Sequence, residues 1–156
     1  MAVKVSAAFM RVVAGVFLLS GLVIFPVQAK DSCVPVRFVA AKESFCLEVA
    51  DTFVSREAGL QNRDSIPSRG GMIFVFPENA PRVFWMKDTL LELDILFLDD
   101  AGVVRGFVTR VPPGPIKLYA PARYVIELPG GTGEALGLWP GDKVLLPKRL
   151  THSIFK

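Results

Sequence analysis

Four ionisable residues have side chains that could bind or transform a polar molecule: Lys87, Asp94, Arg123 and Glu127. Trp85 lies just before the first of them, and its indole ring would supply an apolar wall. If these five side chains lined one pocket, they could bind a polar small molecule, a sugar or a peptide terminus. Two carboxylates such as Asp94 and Glu127 could also act as acid and base in glycoside hydrolysis.

A structural interpretation competes with this pocket. An acid inside the apolar Leu90–Leu98 segment must be paired, hydrogen-bonded or exposed, because an unpaired buried charge is strongly unfavourable. The charged groups would then tie strand ends together by ion pairs, and Trp85 and Met86 would be part of the core. We favour this structural interpretation and assign no catalytic residue.

Other residue types narrow the chemistry further. His152 is the single histidine, so a cysteine nucleophile has no obvious base and a histidine-based metal cage is excluded. The pair Asp99-Asp100 predicts a hairpin turn rather than a calcium site, and we predict no metal or cofactor. Three arginines surround the first predicted helix and are interpreted as a solvated surface, with an anion-binding face as the alternative: Arg56, Arg63 and Arg69.

Cys33 and Cys46 are the two cysteines of the chain. An oxidising compartment would favour a disulfide between them. A hairpin turn over residues 40–44 would place Cys46 opposite Phe38, so a bridge would require the N-terminal tail to fold back. The sequence therefore leaves open both a Cys33–Cys46 disulfide and a free or intermolecular thiol.

Residues 1–29 have the composition of a secretory signal. They contain Lys4 and Arg11 and no acid, followed by the apolar run Val12–Phe25 and the triplet Val27-Gln28-Ala29. The run of about 14 residues is shorter than the roughly 20 that a spanning helix needs. We predict cleavage after Ala29 and a periplasmic or secreted domain over residues 30–156, with an uncleaved membrane anchor as the alternative.

The composition is consistent with one small domain. The chain has 156 residues and a formal charge of +3, and residues 30–156 alone comprise 127 residues with a charge of +1. That length suits a single core, and the weak charge gives no case for nucleic acid. Contact with a membrane is expected only through an uncleaved N-terminal segment.

Frequent Gly and Pro residues separate short runs rich in Val, Ile, Leu and Phe, which is typical of an all-β domain. Two short helices are predicted, at 53–62 with Thr52 as N-cap and at 133–138. We therefore predict a mainly β, single-domain sandwich or barrel-like fold with one or two short helices, preceded by an N-terminal signal helix. The predicted strands are Val34–Val39, Phe45–Val49, Gly71–Phe76, Val83–Trp85, Leu90–Leu98, Val103–Val111, Tyr124–Leu128 and Lys143–Pro147.

The order of several segments carries a family resemblance. They are Phe84-Trp85-Met86-Lys87-Asp88-Thr89, Leu93-Asp94-Ile95-Leu96-Phe97-Leu98-Asp99, Arg123-Tyr124-Val125-Ile126-Glu127-Leu128-Pro129 and Trp139-Pro140-Gly141-Asp142. Over about residues 45–147 the chain resembles the DUF192 family, also called UPF0127, whose function is uncharacterised. The resemblance implies a compact β-sandwich-like domain that is often exported, and it implies no mechanism.

The chain departs from the family pattern at Asp88, Gln61 and Phe53, where Asn, Met and Pro are usual, and it has no cysteine near Val111-Pro112-Pro113. Our main functional hypothesis is an exported binding or accessory module of the cell envelope, with a small polar ligand or an envelope protein as partner. One alternative is a hydrolase or lyase using Lys87, Asp94 and Glu127 on a polar small molecule or glycan. The other is a membrane-anchored protein-interaction module.

Overall fold

The computed structural model describes residues 33–151, so the predicted signal and His152 lie outside the described residues. No helix within 33–151 is long and apolar enough to span a membrane. The elements, in chain order, are β1 (Cys33–Phe38), β2 (Glu43–Ala50), α1 (Phe53–Ala58), β3 (Met72–Trp85), β4 (Leu93–Leu98), β5 (Val104–Val111), β6 (Lys117–Pro129), α2 (Thr132–Ala135), β7 (Val144–Leu145) and α3 (Lys148–Thr151).

The seven strands of the described chain form one sheet in the order β5-β4-β6-β3-β2-β1-β7. Neighbouring strands are antiparallel except β2 and β3, which are parallel. The sheet curls into a half-barrel, and its two edges meet where Val104 N donates to Asp142 O and Val144 N donates to Gly102 O. The mainly β prediction is confirmed in its barrel-like form, whereas two packed sheets, as in a sandwich, are not formed.

A long ribbon of β3 and β6 projects beyond the rest of the sheet. Two predicted strands, at 71–76 and 83–85, are one continuous strand β3, with a register shift between Val75 and Ala80. Pro81 lies opposite Pro121 of β6. Proline has no backbone N–H, so the two residues are compatible with a position of the antiparallel ladder at which facing residues form no hydrogen bonds. β2 pairs with β3 only as far as Ala50, so no strand covers this edge of β3 beyond that point.

Both faces of the sheet are covered by apolar side chains. All six residues of β4 are buried, which explains its nearly continuous apolar sequence. Leu96, Leu98, Ile126 and Leu128 belong to the core cluster on one face. The cluster on the other face includes Leu93, Ile95, Phe97, Phe74, Phe84 and Val125. An acid in β4 or in the middle of β6 must therefore lie in one of these two apolar layers.

The β1–β2 hairpin carries a disulfide between Cys33 and Cys46, whose Cα atoms are 5.3 Å apart. Phe38 pairs with Glu43, so Cys46 lies opposite Pro35 and diagonally across from Cys33. The predicted register, with Cys46 opposite Phe38, is wrong because the turn is tighter and Lys42 adopts a positive φ of 58°. A bridge closing a loop of this length stabilises a fold by roughly 2–3 kcal/mol.

Helix α1 follows β2 and is shorter than predicted. Its N-cap is Thr52 as expected, with Thr52 Oγ1 accepting from Ser55 N and Ser55 Oγ accepting from Thr52 N, each at 3.0 Å. The helix ends at Ala58 because Gly59 has a φ of 49°, which takes the chain out of the helix. Phe53 remains 73% exposed at its first turn, beside the projecting ribbon.

Candidate functional site

A cleft of about 340 Å³ opens between α1 and the uncovered edge of β3, and it extends inward to β6. This volume lies at the lower end of the range for small-molecule sites. Three groups of side chains line the cleft: several aromatic rings, two arginines and one buried acid. We call this space the α1–β3 cleft.

The buried acid is Glu127, which lies in β6, the third strand of the seven-stranded order. Its direct sheet neighbours are Met72 of β3 and Ile95 of β4, so its side chain emerges from an apolar face of the sheet. The residue is 5% exposed, and this burial raises the pKa of its carboxyl from 4.5 to about 8. Within residues 33–151, no side chain or backbone group donates a hydrogen bond to this carboxyl.

Aromatic side chains form the walls of the cleft. Phe74 and Phe84 are buried and meet edge to face, with ring centroids 4.9 Å apart. Phe76 packs edge to face on Phe84 at 6.3 Å. Phe53 and Trp85 are 73% and 38% exposed and lie at the opening. The walls thus offer ring surface to a flat apolar group, and the rims stay accessible to solvent.

Two guanidinium groups lie over the ring of Phe76. The Cζ of Arg82 is 4.1 Å and that of Arg56 is 5.0 Å from the ring centroid. Both side chains are anchored by backbone carbonyls: Arg56 donates to Asp51 O and Val75 O, and Arg82 donates to Glu78 O and Ala122 O. Burial lowers the pKa of Arg82, and the charge of Arg56 acts in the same direction against the opposing charge of Glu78.

Neither Arg56 nor Arg82 forms an ion pair with a carboxylate of the described residues. The other two arginines near α1 are neutralised: Arg63 Nη2 donates to Glu48 at 2.8 Å, and Arg69 pairs with Glu43 at 2.7 Å. The anion-binding face that the sequence suggested as an alternative is therefore not formed by Arg56, Arg63 and Arg69 together. Arg56 instead lies with Arg82 at the cleft.

Asp94 is fully buried and lies on the opposite face of the sheet from Glu127. Its pairing partner is Leu128, one residue beyond Glu127, and successive residues of a strand point to opposite faces. Its carboxylate accepts four hydrogen bonds, from Thr109 Oγ1 at 3.0 Å, Arg110 N at 2.8 Å, Gly131 N at 2.9 Å and Gly133 N at 2.6 Å. Asp94 therefore joins the end of β5 to the start of α2.

Of the five side chains considered for one pocket, the structure brings Trp85 and Glu127 to the α1–β3 cleft. Lys87 lies in the turn after β3, where its ammonium is exposed 3.9 Å from Asp88. Arg123 pairs with Asp100 at 3.3 Å beside the β4–β5 hairpin. These two basic residues and Asp94 thus have partners outside the cleft.

Sequence reasoning missed Arg82, Phe76 and Thr89 as cleft residues. Phe76 ends the predicted strand Gly71–Phe76, and Arg82 lies between the two strands that the sequence predicts in place of the single β3. Predicting one strand that continues past Pro77 and Pro81 would have identified these two residues as neighbours, since it places Phe76 and Arg82 on the same strand. Their cation–π contact, and the contact of both with α1, depends on the tertiary fold.

The described residues contain no group of three or more His, Cys, Asp or Glu side chains arranged to hold a metal ion. Asp99 instead stabilises the β4–β5 hairpin, because its Oδ1 accepts from Ala101 N and Val103 N at 2.9 Å each. Its Oδ2 accepts from Arg105 Nε at 2.8 Å. The predicted hairpin turn at this position is confirmed.

Comparison with known proteins gives a family and two similar solved structures. A protein from Sinorhizobium meliloti 1021, described as a "putative transcription regulator", is 34% identical; the match covers 73% of this chain and 95% of that one, with a TM-score of 0.69. A protein of unknown function from Novosphingobium aromaticivorans DSM 12444 is 32% identical, with coverage of 78% and 90% and a TM-score of 0.69. No curated protein matches the chain.

The family pattern of DUF192, described as "Uncharacterized ACR", matches residues 36–146. This range runs from β1 to the end of the described sheet and includes the whole α1–β3 cleft. It also confirms the resemblance carried by the Trp85-Met86-Lys87 and Leu93-Asp94 segments. The chain belongs to the DUF192 family, whose members are uncharacterised.

Proposed function

We propose that this protein is an exported binding module that holds a small polar molecule in the α1–β3 cleft. The observation that carries the proposal is Glu127, a carboxyl without a partner in the described structure at the buried inner end of an open cleft. Such a group destabilises the fold at neutral pH, so its presence is best explained by a ligand that hydrogen-bonds to it. The aromatic walls would hold the apolar part of that ligand.

Binding is favoured over hydrolysis by the separation of the two candidate carboxylates. A pair that works as acid and base must flank one bond of the substrate. Asp94 and Glu127 project from opposite faces of the sheet, and Asp94 is occupied by four donors. A ligand in the cleft would therefore contact Glu127 without contacting Asp94.

Export is supported by the disulfide together with the signal-like residues 1–29. The Cys33–Cys46 bridge lies on the solvent side of the β1–β2 hairpin, where a reducing cytosol would open it. Transcription regulation, named for the Sinorhizobium protein, is not extended to this chain. Nucleic-acid binding usually requires a basic face. Away from the cleft, arginines of the described residues instead pair with acids, as Arg105 does with Asp99 and Arg110 does with Glu92 and Glu134.

Mass spectrometry of the native protein, purified from its own cells, tests the export proposal. We expect a mature N-terminus at Lys30 and a mass that is two hydrogens lower than that of the dithiol, because the signal is removed and the bridge is formed. Protein that keeps residues 1–29 and stays in the membrane fraction after a high-salt wash would instead support the membrane-anchored alternative. A reduced protein in the cytosolic fraction would contradict export.

Native mass spectrometry of the same protein also tests for a bound molecule. We expect an extra mass that is present in the wild type and reduced in Phe53→Ala, because Phe53 lines the cleft opening. Trp139→Ala is the matched control, since Trp139 is 72% exposed, comparable to the 73% of Phe53, but lies in the turn before β7. A copurifying mass that is lost equally from both variants, or from neither, would contradict the cleft as the binding site.

A further inference from the structure

We propose that the ligand of the α1–β3 cleft is an anion with a flat apolar body, whose carboxylate or phosphate group binds Arg56 and Arg82. This inference rests on the proposed binding function and specifies its ligand class. In this arrangement the oxyanion lies at the two guanidinium groups, the body lies along the aromatic walls, and a hydrogen-bond acceptor of the ligand reaches Glu127.

The two arginines have the properties of an anion-binding site. Both guanidinium groups are held by backbone carbonyls and by the ring of Phe76, so their positions are set before a ligand arrives. Carbonyl oxygens satisfy some of their N–H groups but do not neutralise their charges. Arg56 Nη1 makes both of its carbonyl contacts, which leaves Nε and Nη2 for a ligand, and Arg82 keeps Nη1. Guanidinium groups bind carboxylates and phosphates through such paired donors.

The charges around the cleft favour an anion over a cation. The titratable and charged groups that line it are Arg56 and Glu57 of α1, Arg82 of β3 and Glu127 of β6. Glu127 is protonated at neutral pH, because burial raises its pKa to about 8. Glu57 is therefore the single negative charge of this lining set against two positive ones. Glu78, whose charge also acts on Arg82, lies outside the lining and contacts that arginine through its backbone carbonyl and not through its carboxylate. A protonated Glu127 can also donate a hydrogen bond to a ligand acceptor, which an ionised carboxylate cannot do.

The shape of the cleft indicates the size of the body. A volume of about 340 Å³ accommodates a single ring with a substituent rather than a polymer. Phe53 and Trp85 flank the opening, and the ring of Phe76 contacts both arginines and Phe84. The distribution of apolar and basic groups thus matches an aromatic or similarly flat ring that carries one oxyanion.

Nitrogen-15 NMR of the two tryptophan indole groups tests this inference. Protein expressed from its full coding sequence is titrated with four probes: benzoate, phenyl phosphate, benzyl alcohol and benzylammonium. We expect benzoate or phenyl phosphate to shift the Trp85 indole signal with a millimolar Kd, the range of small fragments, while the exposed Trp139 signal stays unchanged. Trp139→Phe assigns the two signals, and comparing the first two probes distinguishes a carboxylate site from a phosphate site.

The four probes separate failure of the ligand class from failure of the site. If benzyl alcohol or benzylammonium binds at Trp85 as tightly as the anions, the cleft binds small molecules but the anion inference is overturned. If no probe shifts Trp85, the anion inference is overturned and the cleft does not bind flat aromatic molecules, whereas the proposed binding function is then judged by the copurifying mass. If anions shift Trp139 and Trp85 equally, the protein shows only nonspecific binding and the inference also fails.

Charge variants test the role of the arginines. We expect Arg82→Gln to weaken binding of the anionic probe about tenfold, because one charge-assisted contact is lost. Arg37→Gln is the matched control, since Arg37 lies on the exposed side of β1 and does not line the cleft, and its Kd should stay within about twofold. Equal weakening in the two variants would mean that net charge alone, and not the cleft, attracts the anion. Arg56→Gln provides a second test if Arg82→Gln does not fold.

Discussion

Replacing Asp94 by Asn is expected to lower the free energy of unfolding by about 4 kcal/mol, which corresponds to a fall in Tm of roughly 15 °C. The Asp94 carboxylate accepts from four donors, three of which are backbone N–H groups. An Asn side chain has one acceptor oxygen, and its amide N–H₂ must face at least one of these donors. That donor then stays buried and unsatisfied, and the charge-assisted bonds become weaker. Urea unfolding followed by circular dichroism measures the change.

The backbone around Asp94 explains why relaxation cannot remove this cost. Arg110 has a positive φ of 50°, which turns its N–H toward Asp94 at the irregular end of β5. Gly133 packs closely on the Phe107 ring, since even a Cβ at this position would lie 2.3 Å from it. The Gly133 N–H therefore has little room to move away from residue 94. Asp100→Asn is the control, because Asp100 is largely exposed and its pair with Arg123 contributes at most about 1 kcal/mol. Equal stability of the two variants would contradict the structural role of Asp94.

Raising the pH from 4.5 to 7 is expected to lower the free energy of unfolding by about 3 kcal/mol through Glu127 alone. Burial raises the pKa of this carboxyl from 4.5 to about 8, so over this range the folded state keeps the proton and the unfolded state releases it. Because the folded state then binds more protons, stability falls as pH rises. The decline continues to about pH 8 and levels off above it. Urea unfolding at a series of pH values measures the slope.

Glu127→Gln should remove this slope and make the protein more stable than the wild type at pH 7, because Gln is neutral in both states. Glu57→Gln is the control, since Glu57 also lines the cleft but is exposed, and we expect it to keep the slope. Glu48 has a lowered pKa, mainly through its hydrogen bond from Arg63, and its contribution is lost only as pH falls below its ordinary value of 4.5. A wild-type slope unchanged in Glu127→Gln would show that Glu127 ionises normally.

Asp94 and Glu127 have opposite effects on the stability of the folded protein at neutral pH. Asp94 stabilises the fold because both of its carboxylate oxygens accept hydrogen bonds, from four donors in all. Glu127 destabilises the fold at neutral pH because burial is not offset by any partner in the described chain. An anionic ligand of the proposed class would change that balance by accepting a hydrogen bond from the protonated carboxyl.

Much of the strand content could be read directly from the sequence. The runs Leu90–Leu98 and Val103–Val111, separated by Asp99 and Gly102, predict a hairpin because turn chemistry and apolar patterning are local properties, and the structure forms it between Leu93–Leu98 and Val104–Val111. The Thr52 N-cap and the Pro140-Gly141 turn are equally local, and Gly141 has the positive φ of 104° that such a turn requires. The segments that resemble DUF192, over about residues 45–147, lie in the same domain as the family match over residues 36–146.

Other features of the fold could not be read locally. Strand β3 continues past Pro77 and Pro81, which break a strand on propensity grounds, because β6 pairs with it on both sides of the irregularity between Val75 and Ala80. The Cys33–Cys46 bridge depends on the register between β1 and β2, which is set by the length of the turn that joins them. The helix predicted over 53–62 stops at Ala58, because Gly59 has a φ of 49° that ends it.

The sequence by itself determined the β class, the hairpins, the family and the residue types able to do chemistry here: acids, arginines and aromatic rings. It could not show which acid serves the fold and which faces a cleft, because Asp94 and Glu127 are both acids in apolar strands. Only the tertiary structure decided this, since β4 and β6 pair Ile95 with Glu127 and Asp94 with Leu128. Because the two acids are offset by one residue in this pairing, their carboxylates lie on opposite faces of the sheet. Asp94 faces four donors, and Glu127 faces an open cleft with two arginines.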